Sequence, residues 1–332
     1  VRLAVTGSIA TDHLMVFPGR FTDQLLADRL DSVSLSFLVD TLDVRRGGVA
    51  ANICFGLGLL GSRPALVGAV GRDFAEYREW LEDHGVDTES VLVSQTRHTA
   101  RFLCTTDEDQ NQIASFYAGA MAEARHIALA PVADRLGGLD LVLISPNDPD
   151  AMLRHTEECV RGGHPFAADP SQQLTRMDGA RIRSLLTGAT WLFTNDYEHD
   201  LLLSKTGWSE AEVLDRVGAW ITTMGEKGVR LEMAGLPSVH VPAVAARRVV
   251  DPTGVGDGFR AGFLAGLDRG LPAERSMQLG CTLATFVLES QGSQEYVVDP
   301  ALFAGRFAEA YGPAAAAEAD LFRTVHSGQF AS

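Results

Sequence analysis

Cysteine is scarce in this chain of 332 residues, and positive charge is outweighed. Cys54, Cys104, Cys159 and Cys281 stand far apart with no CxxC pair. That spacing argues against a disulfide framework or a zinc site and suggests reduced thiols in a cytoplasmic protein. Lysine and arginine number 28 against 43 acidic residues, a net charge of -15. With no basic stripe to offset it, nucleic-acid backbone and anionic membrane are poor partners. No apolar run is long enough to span a bilayer, and no charged-then-apolar leader opens the chain, which begins with Val1. Nine histidines include no HExxH, and no GxxxxGK[ST] occurs, so zinc-protease and P-loop chemistry lack their motifs. Repeats and proline-rich or charged linkers are missing too.

What is present in the second half is alternation. Asp140–Ile144, Pro165–Ala168, Thr190–Phe193 and Trp220–Thr223 are short apolar runs separated by helical stretches. The pattern predicts an α/β fold with a mainly parallel sheet covered on both faces. Earlier strands are expected at Arg2–Thr6, His13–Phe17, Phe37–Val44 and Ala65–Val70. A hairpin is expected from Thr99–Thr106 and Gln112–Tyr117. The strands near 13–46 have no alternating helix; two leucine-rich turns link them. They read as an insertion belonging to another sheet. The turn Asp107–Asn111 suggests a calcium loop, but Gln112 and Ala118 replace its glycine and glutamate. Gly56-Leu-Gly58-Leu-Leu-Gly61 spells GxGxxG at the end of a helix, the wrong place for a dinucleotide fingerprint. Asp73 is expected to cap a helix.

One stretch carries chemistry. Val249–Phe263 reads as a strand end, the turn Asp251-Pro-Thr-Gly-Val-Gly-Asp257, then a helix with Phe259, Phe263, Leu264 and Leu267 on one face. Gly254 and Gly256 permit close backbone approach, and the opening N–H groups of the helix form an anion seat beside Asp257. A lone aspartate after glycine is an ordinary helix cap. A fixed carboxylate next to an anion seat is also what phosphoryl transfer to a hydroxyl requires.

That run resembles the second signature of the ribokinase-like (PfkB) carbohydrate and nucleoside kinases. Arg46-Gly47-Gly48-Val-Ala-Ala-Asn52 resembles the first, although paired glycines also serve close helix packing. The resemblance implies one ribokinase-like α/β domain over 1–332. It adds a small β-sheet lid whose strands are inserted at about 13–46 and 97–118. Asp257 would be the base, and Gly254, Val255 and Gly256 the anion hole; Val255 replaces the family's usual alanine. Asn195-Asp-Tyr-Glu198 resembles the NxxE motif, in which Glu198 holds magnesium through water. Thr223-Met-Gly225-Glu-Lys-Gly228 resembles the nucleotide-binding turn. Asn195, Thr223, Gly225 and Gly228 would then serve the donor, ATP with Mg2+, with room for a monovalent cation (K+).

Several runs are closer to bacterial adenosine kinases of the mycobacterial type: Gly7–His13, Ser34–Asp40, Gln112–Tyr117, Ala168–Leu174 and Phe193–Glu198. This implies purine salvage, with Asp12, Gly48 and Asn52 on the ribose and Ser8 nearby. Phe102 and Phe116 would stack on adenine, and Ser36, Phe37, Gln172, Gln173 and Arg176 would line the rest. Taken alone, Asp12 is a turn or cap residue and the hairpin aromatics are core. In close relatives the lid strands build a dimer interface, so a homodimer is expected. Two other readings stay open: a ribokinase- or fructokinase-like sugar kinase, and a non-catalytic nucleoside sensor.

Overall fold

The fold is read from a computed structural model that describes residues 1–24 and 36–319. The leucine-rich turns of the linker fall mostly outside those residues. In chain order the strands are β1 (Leu3–Thr6), β2 (Ala10–Val16), β3 (Thr41–Gly47), β4 (Ala65–Val67), β5 (Ala69–Val70), β6 (Leu92–Val93) and β7 (Ala100–Thr106). They continue with β8 (Gln112–Tyr117), β9 (Leu141–Ile144), β10 (Phe166–Ala168), β11 (Trp191–Asn195), β12 (Ala219–Thr223), β13 (Val229–Glu232) and β14 (Val239–Val241). The first six helices are α1 (Phe21–Gln24), α2 (Val49–Leu59), α3 (Ala75–Asp83), α4 (Ala130–Leu136), α5 (Pro149–Gly162) and α6 (Gly179–Leu186). The rest are α7 (Asp196–Thr206), α8 (Glu210–Leu214), α9 (Val255–Asp268), α10 (Ala273–Leu288), α11 (Pro300–Tyr311) and α12 (Pro313–Glu318).

Eight strands form the large sheet in the order β14-β13-β12-β11-β10-β9-β1-β4, parallel from β4 to β12 and antiparallel at the β13–β14 edge. Of its short strands, β4, β9 and β10 are apolar at every position because alternate side chains feed two cores. Leu3, Val5, Leu141, Leu143 and Phe193 pack with α2, α9 and α10, whereas Ala4, Val142, Ile144 and Leu192 pack on the other face. Each fully buried leucine or phenylalanine contributes roughly 1.5–3 kcal/mol. β1 has β4 on one side and β9 on the other, so the chain reverses its winding there. Ligands of open α/β sheets bind at the carboxyl ends beside such a switch point.

A second, four-stranded sheet of order β3-β2-β7-β8 leaves that end of β1, and β5 and β6 pair separately. Several boundaries differ from the sequence expectation. The strand foreseen at Ala65–Val70 breaks at Gly68, where a side chain would meet the Gly7 carbonyl, and β5 turns away to β6. Phe17 and Phe37 leave their strands to pack together and on Phe21, so β2 ends at Val16 and β3 starts at Thr41. Val249–Asp251 is not strand. It has no sheet edge to join, and the Val250 N–H donates to Leu288 O at the end of α10. Asp73 caps no helix; its carboxylate accepts from the Thr99 N–H, the Thr99 hydroxyl and Arg101. The GxGxxG glycines serve packing. A Cβ on Gly58 would stand 1.8 Å from the His84 carbonyl oxygen of α3's end.

Candidate active site

The carboxyl ends of β1, β10, β11 and β12 face a cleft whose floor is the first turn of α9. Gly254 precedes this helix with φ 78°, a left-handed conformation, and the first intrahelical bond runs from the Gly258 N–H to Gly254 O. The N–H groups of Gly256 and Asp257 come before that bond and open toward the cleft. Asp257 is partly buried on the same turn. Burial pushes its carboxyl up to about 7, against the pull of the Asn52 hydrogen bond and the Arg260 charge; Asp169 adds a smaller upward push.

Asn52, on α2, is buried and fully engaged at its oxygen. Its Nδ2 donates to Asp257 Oδ2 at 2.8 Å, while Oδ1 accepts from Ser293 Oγ at 3.0 Å and Gln294 Nε2 at 2.9 Å. Those two donors set which way the amide points. Gln294 Nε2 also reaches Tyr77, whose hydroxyl donates to Gly47 O. Gly48 begins α2 at φ 94°, with the backbone of Ile9 and Ala10 where a side chain would be. Ser8 Oγ accepts the Val49 N–H, so this serine anchors the start of α2.

The small sheet supplies a line of side chains. Arg45, Asp12, Phe102 and Phe116 are paired in register across β3, β2, β7 and β8, and directly paired residues share a face. Asp12 sits over Gly47, where an added Cβ would be 3.0 Å from its Oδ2. Burial lifts Asp12 to about 6; Arg45 opposes this, while Glu295 and Asp251 reinforce it. Phe102 is half-buried and Phe116 is 44 % exposed. Paired on one face of the sheet, the two residues belong to the same wall and do not stand on opposite sides of a base.

On the far side of α9, a cleft of about 700 Å³ brings Thr223, Gly225 and Gly228 together with Val255, Gly256 and Phe259. Asn195 and Glu198 form a capping box at the start of α7: Asn195 Oδ1 accepts the Glu198 N–H, and Glu198 Oε2 accepts the Asn195 N–H. Glu198 Oε1 accepts from Ser171 Oγ at 3.1 Å. Both oxygens thus have protein partners. No group of three or more metal-ligating side chains gathers among the described residues. This carboxylate suits a magnesium that keeps its waters and takes its remaining ligands from phosphate.

Gln172, Gln173 and Arg176 follow β10; Gln173 is buried and its Oε1 has no partner among the described residues. Ser36 and Phe37 are not brought to the same place. Phe37 packs on Phe17, five positions along from Asp12, a separation of roughly 16 Å in extended chain. Sequence reasoning missed Asp169, Ser171, Arg260, Ser293 and Gln294. An arginine three residues after Asp257 inside the apolar run of α9 was the one local sign.

The pfkB family carbohydrate kinase pattern matches residues 7–299. A nucleoside kinase of Methanothermobacter thermautotrophicus is 32% identical over 271 residues, 80% of this chain and 85% of that protein. A cytidine kinase of Thermococcus kodakarensis is 27% identical, over 78% of this chain and 96% of its own length. Burkholderia thailandensis nucleoside kinase in complex with inosine superposes with TM-score 0.81 at 37% identity, covering 93% of this chain and 98% of that one.

Proposed function

This chain belongs to the pfkB family of carbohydrate kinases, and from that premise we propose that it is an adenosine kinase of purine salvage. It is a phosphotransferase with a hydroxyl acceptor and a ribokinase-like fold. In this reading the γ-phosphoryl group of ATP passes to the 5′-hydroxyl of adenosine, giving AMP and ADP. The observation that carries it is the row Asp12–Phe102–Phe116 on the small sheet, with Asp12 set against Gly47. Such a row offers a carboxylate to the ribose hydroxyls and an aromatic wall to the base, and a free sugar would leave the wall unused. Stacking on such a wall is worth roughly 1–3 kcal/mol per base.

Asp257, near 7, accepts the proton of the 5′-hydroxyl as the phosphoryl group arrives. Asn52 occupies Oδ2 and leaves Oδ1 for that proton. The N–H groups at Gly254–Asp257 take the charge that spreads over the phosphoryl oxygens. Glu198 would hold magnesium through water, and the ion would supply charge neutralisation to the phosphates. Closure of the small sheet over the cleft excludes water that would otherwise compete as acceptor. Adenosine is favoured by Gln172 and Gln173, whose amides suit the amino group and ring nitrogens of adenine. A broader nucleoside specificity is the second reading, favoured by the inosine complex and the cytidine kinase among the relatives.

We also infer a homodimer through the lid strands. The face of the small sheet opposite Asp12 exposes Leu42 (59%), Val44 (54%) and Ile113 (46%) between the free edges of β3 and β8. The test of function is coupled ADP release with Mg2+ and ATP, comparing adenosine with inosine, guanosine, cytidine, ribose and fructose. Turnover confined to adenosine supports the specific reading, and similar turnover with several nucleosides supports the broader one. Turnover with a free sugar alone would refute both. Exchange of K+ for Na+ in the same assay reads any monovalent requirement.

A further inference from the structure

Arg260 and Asp169 lie 91 positions apart in sequence and are both almost wholly buried, 5% and 1% exposed. Arg260 Nη2 donates to Asp169 Oδ1 at 2.6 Å, and its Nε lies 2.5 Å from Oδ2. Nη1 of the same guanidinium donates to Gly256 O at 3.0 Å, inside the anion turn. One planar group therefore ties the first turn of α9 to the end of β10. Two residues past Asp169, Ser171 has φ 43°, a left-handed conformation uncommon outside glycine, and its hydroxyl donates to Glu198. Strain of this kind persists where surrounding contacts enforce it, and it gathers at functional sites. A buried ion pair is seldom more stabilising than apolar groups of equal volume, so stability does not explain this one.

We propose that Arg260, Asp169 and Ser171 form a positioning strut that holds the first turn of α9 in register with Glu198 across the cleft. The strut runs Gly256–Arg260–Asp169–Pro170–Ser171–Glu198 and joins the base side of the reaction to the phosphate side. None of the three residues needs to touch substrate. The inference rests on Asp257 being the base. The charged or titratable groups facing Asp257 are Arg260 from its own helix, Asp169 from the turn after β10, and Tyr296 from the segment after α10. α2 contributes the neutral amide of Asn52, and α10 packs Ala284 and Val287 on the adjoining Gly258. Glu198 from α7 faces Arg260.

The test compares Arg260→Met, Asp169→Asn, the double variant and Asp257→Asn, using ATP and the best nucleoside of the panel. The double variant removes both charges together, which keeps the fold where a single change leaves a lone buried charge. Its kcat is expected to fall at least about tenfold, with each KM within about threefold of the parent. The single variants should move the pH midpoint of kcat/KM in opposite directions, Arg260→Met upward and Asp169→Asn downward. A general loss of packing would not produce opposite signs. If the single variants do not fold, the kcat of the double variant decides. Parental kcat in the double variant, or unmoved midpoints in both singles, would overturn the strut while Asp257→Asn remains inactive. An active Asp257→Asn would overturn the base and the strut together.

Discussion

Replacing Asn52 with leucine removes one hydrogen bond from the carboxylate on which turnover depends. The bond is 2.8 Å long and runs from Asn52 Nδ2 to Asp257 Oδ2. Leucine keeps the same branched, four-atom side chain, so the space between α2 and α9 stays filled, at the cost of leaving Ser293 Oγ and Gln294 Nε2 without this acceptor. A hydrogen bond to a charged group is worth roughly 1.5–3 kcal/mol, and it favours the ionised form. Its loss should raise the pH midpoint of kcat/KM by about one to two pH units. Because Asp257 stands at about 7, half of it is ionised near neutrality in the parent. The variant would hold roughly a tenth to a hundredth in that form, so kcat/KM at neutral pH falls about 5- to 50-fold. Most of that loss should return at about pH 9. Any contact between Asn52 and the ribose adds a loss that does not vary with pH, so the profile separates the two effects. Coupled ADP release across about pH 6 to pH 9.5 is the assay. A midpoint within about 0.3 of the parental one would refute the role given to this amide.

Asp257→Asn should abolish turnover by several orders of magnitude and yet stabilise the fold above neutral pH. The sign follows from the raised carboxyl: ionisation costs stability progressively from 3.8 to about 7, a few kcal/mol in all. Thermal melts of parent and variant should therefore coincide near about pH 4 and separate by about pH 8, and a constant gap would contradict the burial argument. Phe102→Ala should weaken adenosine binding about ten- to a hundredfold in calorimetry and leave ATP binding unchanged; equal losses for both would remove the aromatic wall from the acceptor site. Val44→Glu places a charge on the exposed face of the small sheet and should convert a dimer to monomers in light scattering. A parental mass for that variant would place any interface elsewhere.

The sequence by itself determined what depends on neighbours along the chain. The anion turn and its aspartate occupy seven consecutive residues, Asp251–Asp257, because a glycine turn followed by a helix start is a local event. The doubly buried strands announced themselves as short apolar runs, and the misplaced GxGxxG was recognisable from its position alone. Asn195 and Glu198 are separated by one helical turn, so their spacing was legible too. Tertiary structure decided the rest. It paired β2 in parallel with β7, putting Asp12 beside Phe102, which no periodicity could announce. It also brought Asn52 to Asp257 across 205 positions and Arg260 to Asp169 across 91. Such contacts are chosen by how helices pack on a completed sheet, and a buried charge is tolerable only once its partner has arrived. Hydrophobic pattern reports which face of an element is covered; the identity of what covers it exists only in the assembled core.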